Sequence, residues 1–196
     1  MKTNYKARML SSTRMGSMAL IRKQWPAFIL AFVLPLLAIY WWWGGFNRVV
    51  VAEMESGPHF YAYLEHEGDL GKLPKTQARV FALLEQGGIA PGDTITVLLT
   101  DPRTTAKPEQ RARTGYRVPL DARLPKELMS EVIPRRKVLA ATVEAAVALA
   151  PSKAYQALAD ELAPGGRDIT LPAVEIYRPS GTPVRIGELT VEIAAP

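Results

Sequence analysis

The sequence predicts an α+β protein: duplicated strand–helix–strand–strand modules around a central cleft, preceded by one transmembrane helix. Three observations predict it. An uninterrupted apolar run, Trp25 to Trp43, follows a wholly basic tail. Segments with hydrophobic periods of 2 and 3.6 then alternate in the order strand, helix, strand, strand, twice over. The second set also repeats landmarks of the first at a constant offset of 77 residues, as in Pro74 and Pro151.

Charge separates the tail from the rest. The 196 residues hold 24 Lys and Arg against 19 Asp and Glu, a net of +5. Lys2, Lys6, Arg8, Arg14, Arg22 and Lys23 fall in residues 1–23, which contain no acid, so the remainder carries 18 basic against 19 acidic residues. A nucleic-acid-binding domain needs its basic face on the folded body, and no helix-turn-helix stretch is read ahead of this one, so no nucleic-acid partner is expected. Cysteine is absent, which excludes disulfides, thiolate metal sites and a thiol nucleophile.

Residues 1–23 read as a basic cytoplasmic tail and 24–46 as a transmembrane anchor. Trp25 to Trp43 spans about 28 Å as a helix, close to the roughly 30 Å of a hydrocarbon core. Pro35 is expected to kink it. Tyr40, Trp41, Trp42 and Trp43 suit the far membrane interface, and Trp25 the near one. A cleaved signal peptide would have a shorter apolar core and a small-residue cleavage site, which three tryptophans do not supply. The excess of cations ahead of the span puts the N-terminus in the cytoplasm. The expectation is a single-pass signal anchor in the inner (cytoplasmic) membrane, with residues 47–56 as linker and 57–196 as a periplasmic or otherwise extracytoplasmic domain.

Within the domain, residues 57–66 alternate as a strand, with Phe60, Ala62 and Leu64 on one face and Tyr61 and Tyr63 on the other. Pro74 opens a helix that runs to Gln86, with Val80, Phe81, Leu83 and Leu84 as its apolar stripe and Gly87-Gly88 as its stop. Strands follow at Thr94–Thr100 and Arg113–Leu120, the latter carrying Tyr116. The set then recurs: a strand at Arg136–Glu144, a helix at Pro151–Leu162 with Tyr155, Leu158 and Leu162 on one side, and strands at Ala173–Arg178 and Arg185–Ile193. The offset of 77 pairs Pro74 with Pro151, Ala82 with Ala159, Gly88 with Gly165, Val97 with Val174 and Pro102 with Pro179. A unit used twice is the economical account.

The last module contains Pro172-Ala173-Val174-Glu175-Ile176-Tyr177-Arg178-Pro179, one carboxylate inside an apolar strand. Burying it is costly unless it is hydrogen-bonded or meets a cation. Its counterpart across the repeat is Leu98, so the strand pattern alone does not require the charge.

Residues 57–194 resemble the GyrI-like small-molecule-binding (effector-binding) domain. The resemblance rests on His66–Gly71 (HEGDLG), Thr96–Pro102 (TVLLTDP), Arg113–Pro119 (RTGYRVP), Lys153–Leu158 (KAYQAL) and Pro172–Pro179 (PAVEIYRP), in order and spacing. It implies paired modules around a central cleft. It also implies that a glutamate at the position of Glu175 contacts the charge of lipophilic cations.

The candidate ligand-binding residues are Glu175, Tyr177, Tyr61, Tyr63, Tyr116 and Leu98, with Tyr61 and Tyr63 expected on the face of Glu175. Aromatic rings offer apolar area and cation–π attraction, and the carboxylate adds charge in a low dielectric. The expected function is a membrane-anchored binding module for a lipophilic, cationic small molecule. Two alternatives stand beside it: a hydrolase of small electrophiles with Glu175 as general base and a tyrosine as proton donor, and a receptor or scaffold with a vestigial cleft that recruits a protein partner. No catalytic set, cofactor or metal is assigned. His59 and His66, seven apart, lack converging ligands, and Glu65-His66-Glu67 reads as a solvated strand end. Arg111, Arg113 and Arg117 read as an exposed strand face, with anion contact as the minor option.

Overall fold

The structure, a computed structural model, describes the backbone of residues 13–180 and 186–195, and the side chains of Trp25 and of residues 29 onward within that range. The chain divides into two compact units, residues 1–42 and 43–196.

The described part of the first unit is one helix, α1 (Thr13–Trp42). Its described side chains are exposed and apolar all round, including Phe32, Leu36 and Trp41. Among the described residues no helix is long and apolar enough to cross a membrane. The consecutive described side chains, 29–42, cover only about 21 Å of helix axis. The transmembrane helix expected over 24–46 therefore finds no support among them. Residues 1–12 of the expected tail, and the side chains of 13–24 and 26–28, lie outside the described residues.

The second unit is a mixed α+β fold with an eight-stranded, wholly antiparallel sheet. Its strands are β1 (Val50–Ser56), β2 (His59–Glu67), β3 (Thr94–Leu98), β4 (Arg111–Arg117), β5 (Met129–Ile133), β6 (Arg136–Glu144), β7 (Ala173–Arg178) and β8 (Glu188–Ala194), in the spatial order β1-β6-β8-β7-β3-β4-β2-β5. The helices α2 (Leu73–Gln86) and α3 (Ala150–Leu162) follow β2 and β6. The offset of 77 carries β2 onto β6 and β4 onto β8 residue for residue, and the start of α2 onto the start of α3. β3 and β7 pair with Val97 opposite Val174, so the two modules meet at the positions the repeat equates.

Both helices form for the same local reasons. Each has a proline in its first turn, where a missing N–H costs nothing. Each buries residues four apart: Val80 and Leu84 in α2, and Ala150, Ala154, Leu158 and Leu162 in α3. Gly88, at φ +67°, and Gly166, at φ +63°, turn the chain in the left-handed region beyond each helix.

Two strands were not foreseen. The stretch expected as a linker, 47–56, contains β1, and no strand was expected at the position of β5. Both are sheet edges. β1 precedes β2 in the chain but pairs with β6, while β5 precedes β6 but pairs with β2. Most of β1 is exposed, so it carries no burial alternation to read. Residues 181–185, placed by the sequence partly in the last strand, lie outside the described residues.

Candidate functional site

A cleft arises because the helices cover only the outer strands. α2 rests on β2 and β4 and α3 on β6 and β8, which leaves β3 and β7 between them. Register determines what those two strands turn toward the helices. Glu175 pairs with Thr96 on one side and Val191 on the other, and Val191 lies in the core beneath α3. Glu175 therefore points to the helix side of the sheet.

There it meets Tyr155, whose hydroxyl donates to Glu175 Oε1 over 2.9 Å. Tyr155 also lines a cavity of about 230 Å³ with Leu98, Asp101, Pro102, Arg103, Ser152, Ile169 and Leu171. Burial pushes the Glu175 carboxyl above its ordinary pKa, and the Tyr155 hydrogen bond only partly opposes this. Burial and the adjacent carboxylate push the Tyr155 hydroxyl up as well, so it remains a donor at neutral pH.

The rim is polar and paired. Arg103 Nε and Nη2 grip Asp101 at 2.8 to 3.2 Å, and Nη2 reaches Asp168 at 3.5 Å. The Arg103 side chain, chiefly by its hydrogen bonds, holds the Asp101 carboxyl below its ordinary value. The site thus combines an apolar lining, a half-buried carboxylate whose pKa is raised and a rim whose charges are already matched. It can take a small apolar body.

The six candidate residues divide. Leu98 lines the cavity, and Glu175 is bound to a lining residue. Tyr116 and Tyr177 share their face, being register partners of Thr94, but are engaged elsewhere. The Tyr116 ring meets Phe81 edge-on with centroids 5.7 Å apart. The Tyr177 hydroxyl lies where a Cβ on Gly187 would be, 2.4 Å from that position.

Tyr61 and Tyr63 are on the opposite face, which corrects the expectation that they share Glu175's. Alternation within β2 is as read, but the helices lie on the Glu175 side of β7, so Val174 and Ile176 turn away from them. Those two pack with Tyr61, Tyr63, Ile95 and Val97 in a separate core. There the tyrosines stack at 5.1 Å, Tyr61 donates to Glu131 (2.9 Å), and Arg113 lies 5.4 Å over Tyr63.

Tyr155 was seen only as part of a helix stripe. The usable signal was a tyrosine between apolar helix positions, since its hydroxyl must find a partner when buried. Its counterpart across the repeat is Ala78, just as that of Glu175 is Leu98. Both members of the pair replace apolar residues of the twin module.

In fold, this chain is similar to the C-terminal domain of EcmrR. The crystal structure of that domain superposes with a TM-score of 0.55 at 13% identity, covering 76% of this chain and 96% of that one. EcmrR in a cryo-electron-microscopy structure of its DNA complex gives 0.58 at 12% identity, over 92% of this chain and 68% of that one. A conserved protein from Listeria innocua gives 0.52 at 6% identity, over 73% and 90%. No protein-family model and no curated protein sequence matches the chain. At such identities the likeness to EcmrR is one of fold, and it is consistent with the GyrI-like resemblance.

The remaining candidates are engaged elsewhere in the fold. The expected exposed arginines are paired with acids: Arg111 with Glu67, Arg113 with Glu65 and Glu131, and Arg117 with Asp93. His66 is buried rather than solvated, bound to Thr76 Oγ1 (2.8 Å) and to the Asp69 carbonyl (3.1 Å). His59 is buried beside Ser56 and Glu192, with Arg136 on the other carboxylate oxygen. Among the described residues no group of three or more His, Asp and Glu could hold a metal.

Proposed function

We propose that this chain is a binding module for a lipophilic, cationic small molecule, anchored in a membrane by residues 24–46 with the N-terminus in the cytoplasm and residues 57–196 outside it. The observation that carries the binding role is the pair Tyr155–Glu175 beside an apolar cavity. A cation brought next to Glu175 offsets the cost of ionising a half-buried carboxylate, which a neutral ligand cannot do. The GyrI-like resemblance and the fold shared with EcmrR support ligand binding as the use of the cleft. Glu175, Tyr155 and Leu98 are the proposed contacts; Tyr116 and Tyr177 shape the same face at a distance.

The six cations ahead of the apolar run support the anchor and its orientation.

Binding is tested by titrating the full chain with phenyltrimethylammonium and with its uncharged isostere tert-butylbenzene. We expect saturable binding of the cation that weakens at least tenfold in Glu175→Gln, with the neutral ligand unaffected. No binding of the cation, or equal affinity in the variant, overturns the role given to Glu175. The anchor is tested separately: a C-terminal alkaline phosphatase fusion is expected to be active and a C-terminal green fluorescent protein fusion dark. The reverse result puts the domain in the cytoplasm.

A further inference from the structure

We infer that the turn 43–46 and the loop 146–148 of the folded domain form a membrane-contact surface, seated at the boundary between headgroups and acyl chains. The inference rests on the proposed anchor.

The domain begins at Trp43, which is exposed, as are Phe46 and Val147. These segments are held together. Ala146 N donates to the Trp43 carbonyl over 2.9 Å, and Asn47 Nδ2 to the Glu144 carbonyl over 2.7 Å. From the first turn of α3, Lys153 Nζ donates to the carbonyls of Gly44 and Gly45, which are buried. Gly44, at φ +72°, has no room for a side chain, since a Cβ would lie 2.6 Å from the Glu144 carbonyl oxygen. The first residues of the domain are thus locked onto the loop before α3.

Two consequences follow. An anchor that leaves the bilayer at Trp43 holds the backbone of Ala146, and with it Val147, within a few ångströms of that exit. The residues displayed there are also of the right kind: tryptophan and phenylalanine prefer the interfacial layer, Val147 and Ala148 are exposed and uncharged, and exposed Arg48 suits anionic headgroups. Ser152 and Tyr155, one turn into α3, line the cavity. The surface would therefore keep that end of the cleft near the bilayer, where lipophilic compounds concentrate.

The chain has no cysteine, so single-cysteine variants label cleanly. The full chain is reconstituted in phosphatidylcholine–phosphatidylglycerol vesicles and labelled with an environment-sensitive fluorophore at Leu34→Cys, Val147→Cys or Glu85→Cys. The last is exposed on α2. Brominated lipids are expected to quench the labels at 34 and 147, the latter at least half as strongly, and to leave 85 unquenched. Quenching at 34 with 147 behaving like 85 overturns the contact surface while the anchor stands. A blue-shifted but unquenched label at 147 also overturns it, because a protein then covers the loop. Absence of quenching at 34 overturns the anchor and this inference with it.

Discussion

The two modules use one backbone plan for different ends. In the first, Leu98 and Ala78 occupy the positions that Glu175 and Tyr155 hold in the second. Both modules close their helix over their own outer strands. Among the described residues, only the second has a carboxylate and a phenol at these two positions. The scaffold therefore does not need the pair: its twin folds with hydrocarbon there. A second contrast lies on the other face. Glu192 of the second module corresponds to Gly115 of the first, where a side chain would run into the Ala62 carbonyl oxygen, 1.8 Å from a built Cβ. Glu192 is flanked by His59 and Arg136, which are counterparts across the repeat. One acid, Glu175, is held by a single phenol; the other, Glu192, is held by a network.

The largest effects should come from what the modules share. Leu84→Ala and Leu158→Ala each empty a fully buried site beneath a helix and are expected to cost about 2–5 kcal/mol. Both should lower the same cooperative unfolding transition in denaturant, followed by circular dichroism. Separate transitions for the two variants would break the picture of one continuous sheet.

Next come the two acids, which should act with opposite signs. Ser56, His59 and Arg136 outweigh the cost of burial and hold the Glu192 carboxyl below its ordinary value. Its contribution is present above the unfolded-state pKa and is lost as pH falls through the folded one. Glu192→Gln should destabilise at pH 7 by about 1–3 kcal/mol and flatten the acid limb. Glu175 is raised instead, so its contribution is complete below the unfolded-state pKa and is lost as pH rises through the folded value. Glu175→Leu, which installs the twin's residue, should leave stability at pH 7 unchanged or higher while abolishing cation binding. Denaturant midpoints between pH 4 and 8 decide it: loss of stability in Glu175→Leu would show that the carboxylate is structural.

A smaller effect is expected for Tyr155→Phe. Removing one donor should cost about 0.5–1.5 kcal/mol and raise the Glu175 pKa further. The pH at which cation affinity reaches half its maximum should then move upward. An unchanged midpoint would show that the phenol does not support the ionised carboxylate. The smallest belongs to the rim. Arg103 is more than half exposed, and its pairing with Asp101 should contribute no more than about 1 kcal/mol. Arg103→Ala should leave the denaturant midpoint within error and, if it alters affinity, do so less at high salt.

The sequence by itself determined the elements and their repetition. Period, prolines at helix starts and glycines at helix stops are local properties, and they placed β6 and β7 at their observed bounds and α2 and α3 to within one residue. They also marked Glu175 as a charge that its repeat did not require. What the sequence did not carry was which side of each strand faces a helix. Alternation separates two faces but does not name them, so Tyr61 and Tyr63 were assigned to the wrong partner face while each strand was read correctly. The edge strands β1 and β5 stayed hidden for a related reason: they are recruited by the opposite module, and exposed edges need no alternating pattern. The Tyr155–Glu175 contact likewise joins a helix to a strand twenty residues later. Only the crossing of α3 over the sheet brings the phenol to the carboxylate, and that crossing is set by packing across the whole sheet rather than by either segment.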